Sequence, residues 1–180
     1  MKRWVIANVG ATVLALTVAV HAQSPDPSAS PGYVTIDGRK NPERIPEYVA
    51  WGSAFRELAL LEKNGDARLL DEKVALTAAE RTLVFEAGRQ QLERDAASQK
   101  TQLEIADRLS HRGVPLEKQL EAVRPVVMAH RQRVLDAEEA LLAKLGSEAR
   151  MALTEWVNGR RAHITMLVHK DDLEDYRKPR

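Results

Sequence analysis

The 180-residue chain contains no cysteine, which excludes disulfides, thiolate nucleophiles, Cys-ligated metal centres and a lipid-modified cysteine. Whatever stability the fold has must come from packing. An excess of charge of one sign is missing too, since 27 Lys and Arg stand against 26 Asp and Glu. Such a chain projects no general field toward nucleic acid or an anionic membrane, both of which call for a basic patch or stripe. Also absent are a glycine-rich phosphate loop, a Gly-x-Ser-x-Gly elbow and a His-Glu-x-x-His helix. These absences lead us to expect a non-enzyme with no cofactor, no nucleic-acid partner and no membrane association after export.

What is present begins with a targeting pattern. Lys2 and Arg3, the apolar run Trp4 to Val20 and the small Ala22 read as a secretory signal over 1–22, with the exported form starting at Gln23. The run approaches the roughly 20 residues of a spanning helix, so a retained anchor is the alternative; a break-rich segment follows it in place of a positive stop, which favours cleavage. Losing Lys2 and Arg3 takes Lys and Arg from 27 to 25, a net charge of −1. The expected location is periplasmic or secreted. Residues 23–32 carry Pro25, Pro27, Pro31 and three Ser, a composition that buries no apolar surface and predicts a disordered linker. In 33–45, the run Tyr33-Val34-Thr35-Ile36 is closed by Asp37-Gly38 and Asn41-Pro42, which predicts an extended arm lying on the body. With no partner strand visible, a sheet is not expected.

From 46 to 168 the pattern is helical, and we expect an all-α fold: an elongated antiparallel helical hairpin or bundle, followed by a charged flexible tail over 169–180. Pro46 suits a first turn, and Tyr48, Trp51, Phe55, Leu58 and Leu61 or Leu60 share one side. Asn64-Gly65 ends that helix, and Asp66 is placed to cap a short one carrying Leu69, Leu70 and Val74. Thr77-Ala78-Ala79-Glu80 fits a capping box at the head of a long helix. Along it Phe85, Leu92, Gln99 and Ala106 recur every seven residues, with Gly88, Ala96 or Asp95, Leu103, and Ser110 or Leu109 between them, a thin seam flanked by charge. Arg112-Gly113-Val114-Pro115 breaks the helix. The returning helix carries Leu116, Leu120, Val123, Val127, His130, Val134, Ala137, Leu141 and Leu145, with Pro125 expected to kink it. Gly146 ends it, and Ser147 is expected to cap a last helix whose face includes Leu153, Trp156, Val157, Ile164, Leu167 and Val168.

The step Leu76-Thr77-Ala78-Ala79-Glu80 resembles the Leu-Thr-x-x-Gln step at the head of long helices in the Spy and CpxP type of small periplasmic helical proteins, with Glu in place of Gln. The likeness spans about 77–169. It implies a periplasmic helical protein with chaperone activity and a cradle-shaped dimer. The second copy of the step is missing, because Leu145-Gly146-Ser147 lacks it. The segment Ile36 to Pro46 also looks like a segment of exported bacterial proteins of unknown function.

Of the histidines in the exported form, His111 sits by a helix end, His130 falls in the apolar stripe, and His163 and His169 are six apart, off the spacing that puts two ligands on one helix face. We assign no metal ligands. A metal-binding sensor is nevertheless an alternative that these histidines, with Asp171 and Asp172, would have to build by convergence in space. Carboxylates such as Asp136, Glu138 and Glu139 are expected on solvated faces, and Trp51, Phe55 and Trp156 as core anchors. The thinness of the stripe is the functional lead. It suggests a shallow apolar groove along the hairpin, with Phe85, Leu92, Leu103, Leu120, Val127 and Val134 as contact or seam positions. The expected function is binding of a protein or unfolded polypeptide; a self-associating envelope spacer, its stripe buried in a homodimer, is the second alternative.

Overall fold

A computed structural model describes residues 33–169; the signal (1–22), the linker (23–32) and all of the tail except His169 lie outside the described residues. The fold is all-α with one small sheet. In chain order it comprises β1 (Tyr33–Asp37), α1 (Glu47–Lys63), α2 (Arg68–Asp71), α3 (Ala78–Ser110), α4 (Leu116–Leu142), α5 (Ser147–Arg160) and β2 (Thr165–His169). No helix among the described residues is long and apolar enough to cross a membrane.

The local signals place most boundaries. Pro46 precedes α1, whose Trp51 indole N–H donates to Glu47 at 3.0 Å. Gly65 follows α1 at φ 75° and Gly113 follows α3 at φ 68°, left-handed conformations that a Cβ disfavours. The capping box at the head of α3 is complete: the Thr77 hydroxyl accepts from Glu80 N–H, and Glu80 accepts from Thr77 N–H at 3.0 Å. The second oxygen of Glu80 accepts the Gly146 N–H at 2.9 Å. One carboxylate thus fastens the start of α3 to the start of α5. Two expected caps are corrected: Gly146, not Ser147, is the N-cap of α5, and Ala67, not Asp66, precedes α2. Both lack a side-chain cap bond because the helix begins one residue from where the hydroxyl or carboxylate would be needed. α4 continues through Pro125, which lies on its exposed side.

The core sits at one end. Trp51, Phe55 and Leu58 of α1 are wholly buried against Leu70, Val74, Val84, Phe85, Val134, Leu141 and, from α5, Leu153, Trp156 and Val157. Gly88 lets α1 and α3 approach closely, since a Cβ there would lie 2.9 Å from Phe55 O and 3.0 Å from Ala59 N. No residue between 88 and 133 belongs to this cluster. At about 1.5 Å per residue, the 33 residues of α3 and the 27 of α4 extend about 50 and 40 Å, so the distal hairpin projects beyond the core.

The expectation that β1 has no partner is overturned, because β1 and β2 pair antiparallel, with Ile36 opposite Met166 and Val34 opposite Val168. The helical body therefore ends at Arg160, and Ile164 to Val168 leave the helix face expected for them. The spacing of Ile164, Leu167 and Val168 suits a helix, whereas Ile164, Met166 and Val168 alternate as in a half-buried strand, and pairing with the arm decides between them. Ile36, Ile45, Val49, Ile164, Met166 and Val168 form a second, smaller cluster. Gly38 closes it: its N–H donates to Ile164 O at 2.8 Å, and a Cβ there would lie 1.9 Å from Arg161 O. The Arg161 guanidinium donates to Ile45 O and pairs with Glu47.

Candidate functional site

In the middle of α3 the buried line runs one residue behind the apolar one. Val84, Gln91 and Ser98 are buried and Ile105 half-buried at intervals of seven, with Gly88, Asp95 and Gln102 between them, whereas Leu92, Gln99 and Leu103 are exposed. Phe85, Gly88 and Ala106 are buried as expected, but between them Gln91 and Ser98 hold the inner places expected of Leu92 and Gln99, so the middle of the seam is polar. Polar side chains persist there by bonding one another or the backbone: Gln102 donates to Ser98 at 3.1 Å, and on α4 Gln119 donates to the Val114 carbonyl at 2.7 Å.

At its centre is Asp95, 11% exposed, which collects contacts from three helices. Arg56 of α1 donates to its Oδ2 at 2.6 Å, Gln91 of α3 donates to its Oδ1 at 2.7 Å, and Nε2 of His130 on α4 lies 3.3 Å from the same Oδ1. The carboxylate facing Nε2 favours the tautomer protonated there. Nδ1 of His130 and Oε1 of Gln91 are both buried, and no protein group among the described residues pairs with either. Burial pushes the imidazole below its ordinary 6.5 despite the attraction of Asp95, and Arg133 and Arg56 push the same way as burial.

The six groove positions separate. Phe85 and Val134 lie in the core cluster, Leu120 and Val127 are half-buried, and Leu92 and Leu103 are 41% and 55% exposed. Eleven residues are close to three full turns, so Leu92 and Leu103 share one face of α3 about 16 Å apart. Leu116 and Met128 of α4 are exposed as well. The antiparallel register set by Asp95 and His130 brings Leu103 level with the stretch of α4 between Leu120 and Val127.

The histidines do not converge. His111 follows α3 at the hairpin tip, its Nδ1 2.9 Å from Asp107 O, His130 is in mid-α4, and His163 lies between α5 and β2. His169 ends β2, and Asp171 and Asp172 lie outside the described residues. Among the described residues no three His, Asp or Glu side chains are placed to hold one metal ion. Of the junction, the sequence had pointed to His130 and, as one of two choices, to Asp95. Arg56 and Gln91 were missed, although Gln91 and Asp95 at i and i+4 are the spacing of a helical side-chain pair.

No protein-family model, curated protein or solved structure matches the chain.

Proposed function

We propose that this is an exported helical protein that binds a polypeptide partner, in the manner of a chaperone, through the distal half of the α3–α4 hairpin. The observation that carries the reading is the exposure of Leu92 and Leu103 on one face of α3, on a two-helix projection that the core cluster leaves uncovered. Large apolar side chains held in water on a rigid, extended support are the usual means of contacting another chain. The signal-like residues 1–22 support export. The Leu76–Glu80 step that carries the likeness to Spy and CpxP caps the helix bearing this face.

The test is suppression of aggregation of an unfolded protein by residues 23–180. Leu92→Ser with Leu103→Ser should abolish it while leaving the melting temperature unchanged. Absence of suppression by the unaltered protein rejects the reading. Sedimentation over a range of concentrations runs alongside: a dimer that the double substitution dissociates would instead favour the self-associating spacer.

A further inference from the structure

Three helices meet at the Asp95 carboxylate. It joins α1, α3 and α4 through Arg56, Gln91 and His130, and it lies where the hairpin leaves the core, since Gly88 on one side packs against α1 and no residue from 88 to 133 joins the main cluster. Holding α1 on the hairpin at this level therefore depends on polar contacts more than on apolar burial.

The second observation is the orphaned Nδ1. With Nε2 turned to Asp95, taking up a proton places a new N–H at Nδ1, inside the protein and opposite no protein acceptor. A buried donor without an acceptor is costly. The added charge also faces Arg56 from α1 and Arg133 from its own helix, with Asp95 of α3 as the one compensating group among the described residues. In the folded state Asp95 is already engaged by Arg56 and Gln91, so its attraction is shared.

We infer that this junction is a proton-sensitive clasp: protonation of His130 in mild acid loosens α1 and α4 from α3, and neutral pH closes it. The sign follows from the depressed folded-state value. Above 6.5 the imidazole is neutral whether or not the clasp is closed; below 6.5 the open form, with His130 in water, takes the proton first and is favoured until the closed form titrates too. One proton is involved, so the closed-to-open ratio falls by at most about tenfold per pH unit within that window.

The clasp does not depend on what the hairpin binds. It is tested by the hydrogen-exchange protection of α1 amides, corrected for intrinsic rates, in the full exported form. Protection should fall as the pH is lowered from 7.5 to 5.5, and His130→Gln, which keeps a donor toward Asp95 and cannot titrate, should remove that fall. Equal loss of protection in both proteins would overturn the clasp. A measurement needing no variant is the NMR titration of the His130 ring: a midpoint below 6.5 is expected, and one at or above 6.5 would show that acid tightens the junction and refute the proposal.

Discussion

Gly88 and Gly52 allow the same chemical change to be made at two different helix contacts, α3 with α1 and α1 with α4, with opposite outcomes. Both lie inside helices, α3 and α1, where replacing Gly by Ala gains about 0.5–1 kcal/mol from backbone entropy. At Gly52 the new methyl would meet only Val134 Cγ1 at 4.0 Å, an ordinary contact. G52A should therefore stabilise by about that amount. At Gly88 the methyl would lie 2.9 Å from Phe55 O, 3.0 Å from Ala59 N and 3.1 Å from Leu58 Cβ. Two of those neighbours are backbone, which cannot rotate aside, so α1 and α3 must separate by several tenths of an ångström. Overpacking of this kind costs typically 1–3 kcal/mol. Taking the middle of each range, G88A should lose about 1.2 kcal/mol. The assay is urea unfolding, where the midpoints should move in opposite directions with the slope unchanged. A G88A protein as stable as the unaltered one would refute the close approach of α1 and α3, and a G52A protein destabilised equally would refute the open contact of Gly52 with Val134.

Thr77→Ala should cost about 1 kcal/mol in urea unfolding, since it removes the hydroxyl of the capping box. Glu80 is held below its ordinary 4.5 chiefly by the Thr77 backbone N–H, then by the Thr77 hydroxyl and the Gly146 N–H; its stabilisation is complete above 4.5 and lost as pH falls through the depressed value, so Glu80→Gln should flatten that part of an acid-stability curve. Phe85→Ala should lose about 3–5 kcal/mol and Leu103→Ser less than about 0.5 kcal/mol in the same urea assay, which separates the core member of the expected groove from the exposed one. Deleting 23–32 should leave thermal melting nearly unchanged, while deleting 33–45 should lower it clearly by removing β1 and uncovering Ile164, Met166 and Val168.

The helix ends were legible because each is marked by a residue with a local physical role: Pro46, Asn64-Gly65, Thr77 with Glu80, Gly113 and Gly146. The aromatic anchors were legible for a similar reason, since Trp51, Phe55 and Trp156 sit on strongly apolar faces and are buried. Two features were not. The sheet escaped because β1 finds its partner only at the far end of the described chain, and nothing local to either segment names the other. The seam of α3 escaped because apolar periodicity assumes that the apolar stripe is the inner one. Here Gln91, Asp95 and Ser98 turn inward, Gln91 bonding Asp95 and Ser98 bonding Gln102 along α3 itself while Asp95 reaches Arg56 and His130, and Leu92 and Leu103 turn out. Reading that inversion required the contacts of Arg56 and His130, which lie on other helices.

The pairing of β1 with β2 also bears on how the chain reaches its final form. Helices α1 to α5 connect through short turns, so their contacts can assemble while synthesis is still under way. β1 has to wait. Its backbone ladder and the apolar faces of Ile36 and Ile45 remain without Met166 and Val168 until the last described segment has emerged, and contacts between such distant positions form slowly because a long loop must first close. Closure of this small sheet is therefore expected to be the final step of folding and to register that the whole helical body has arrived.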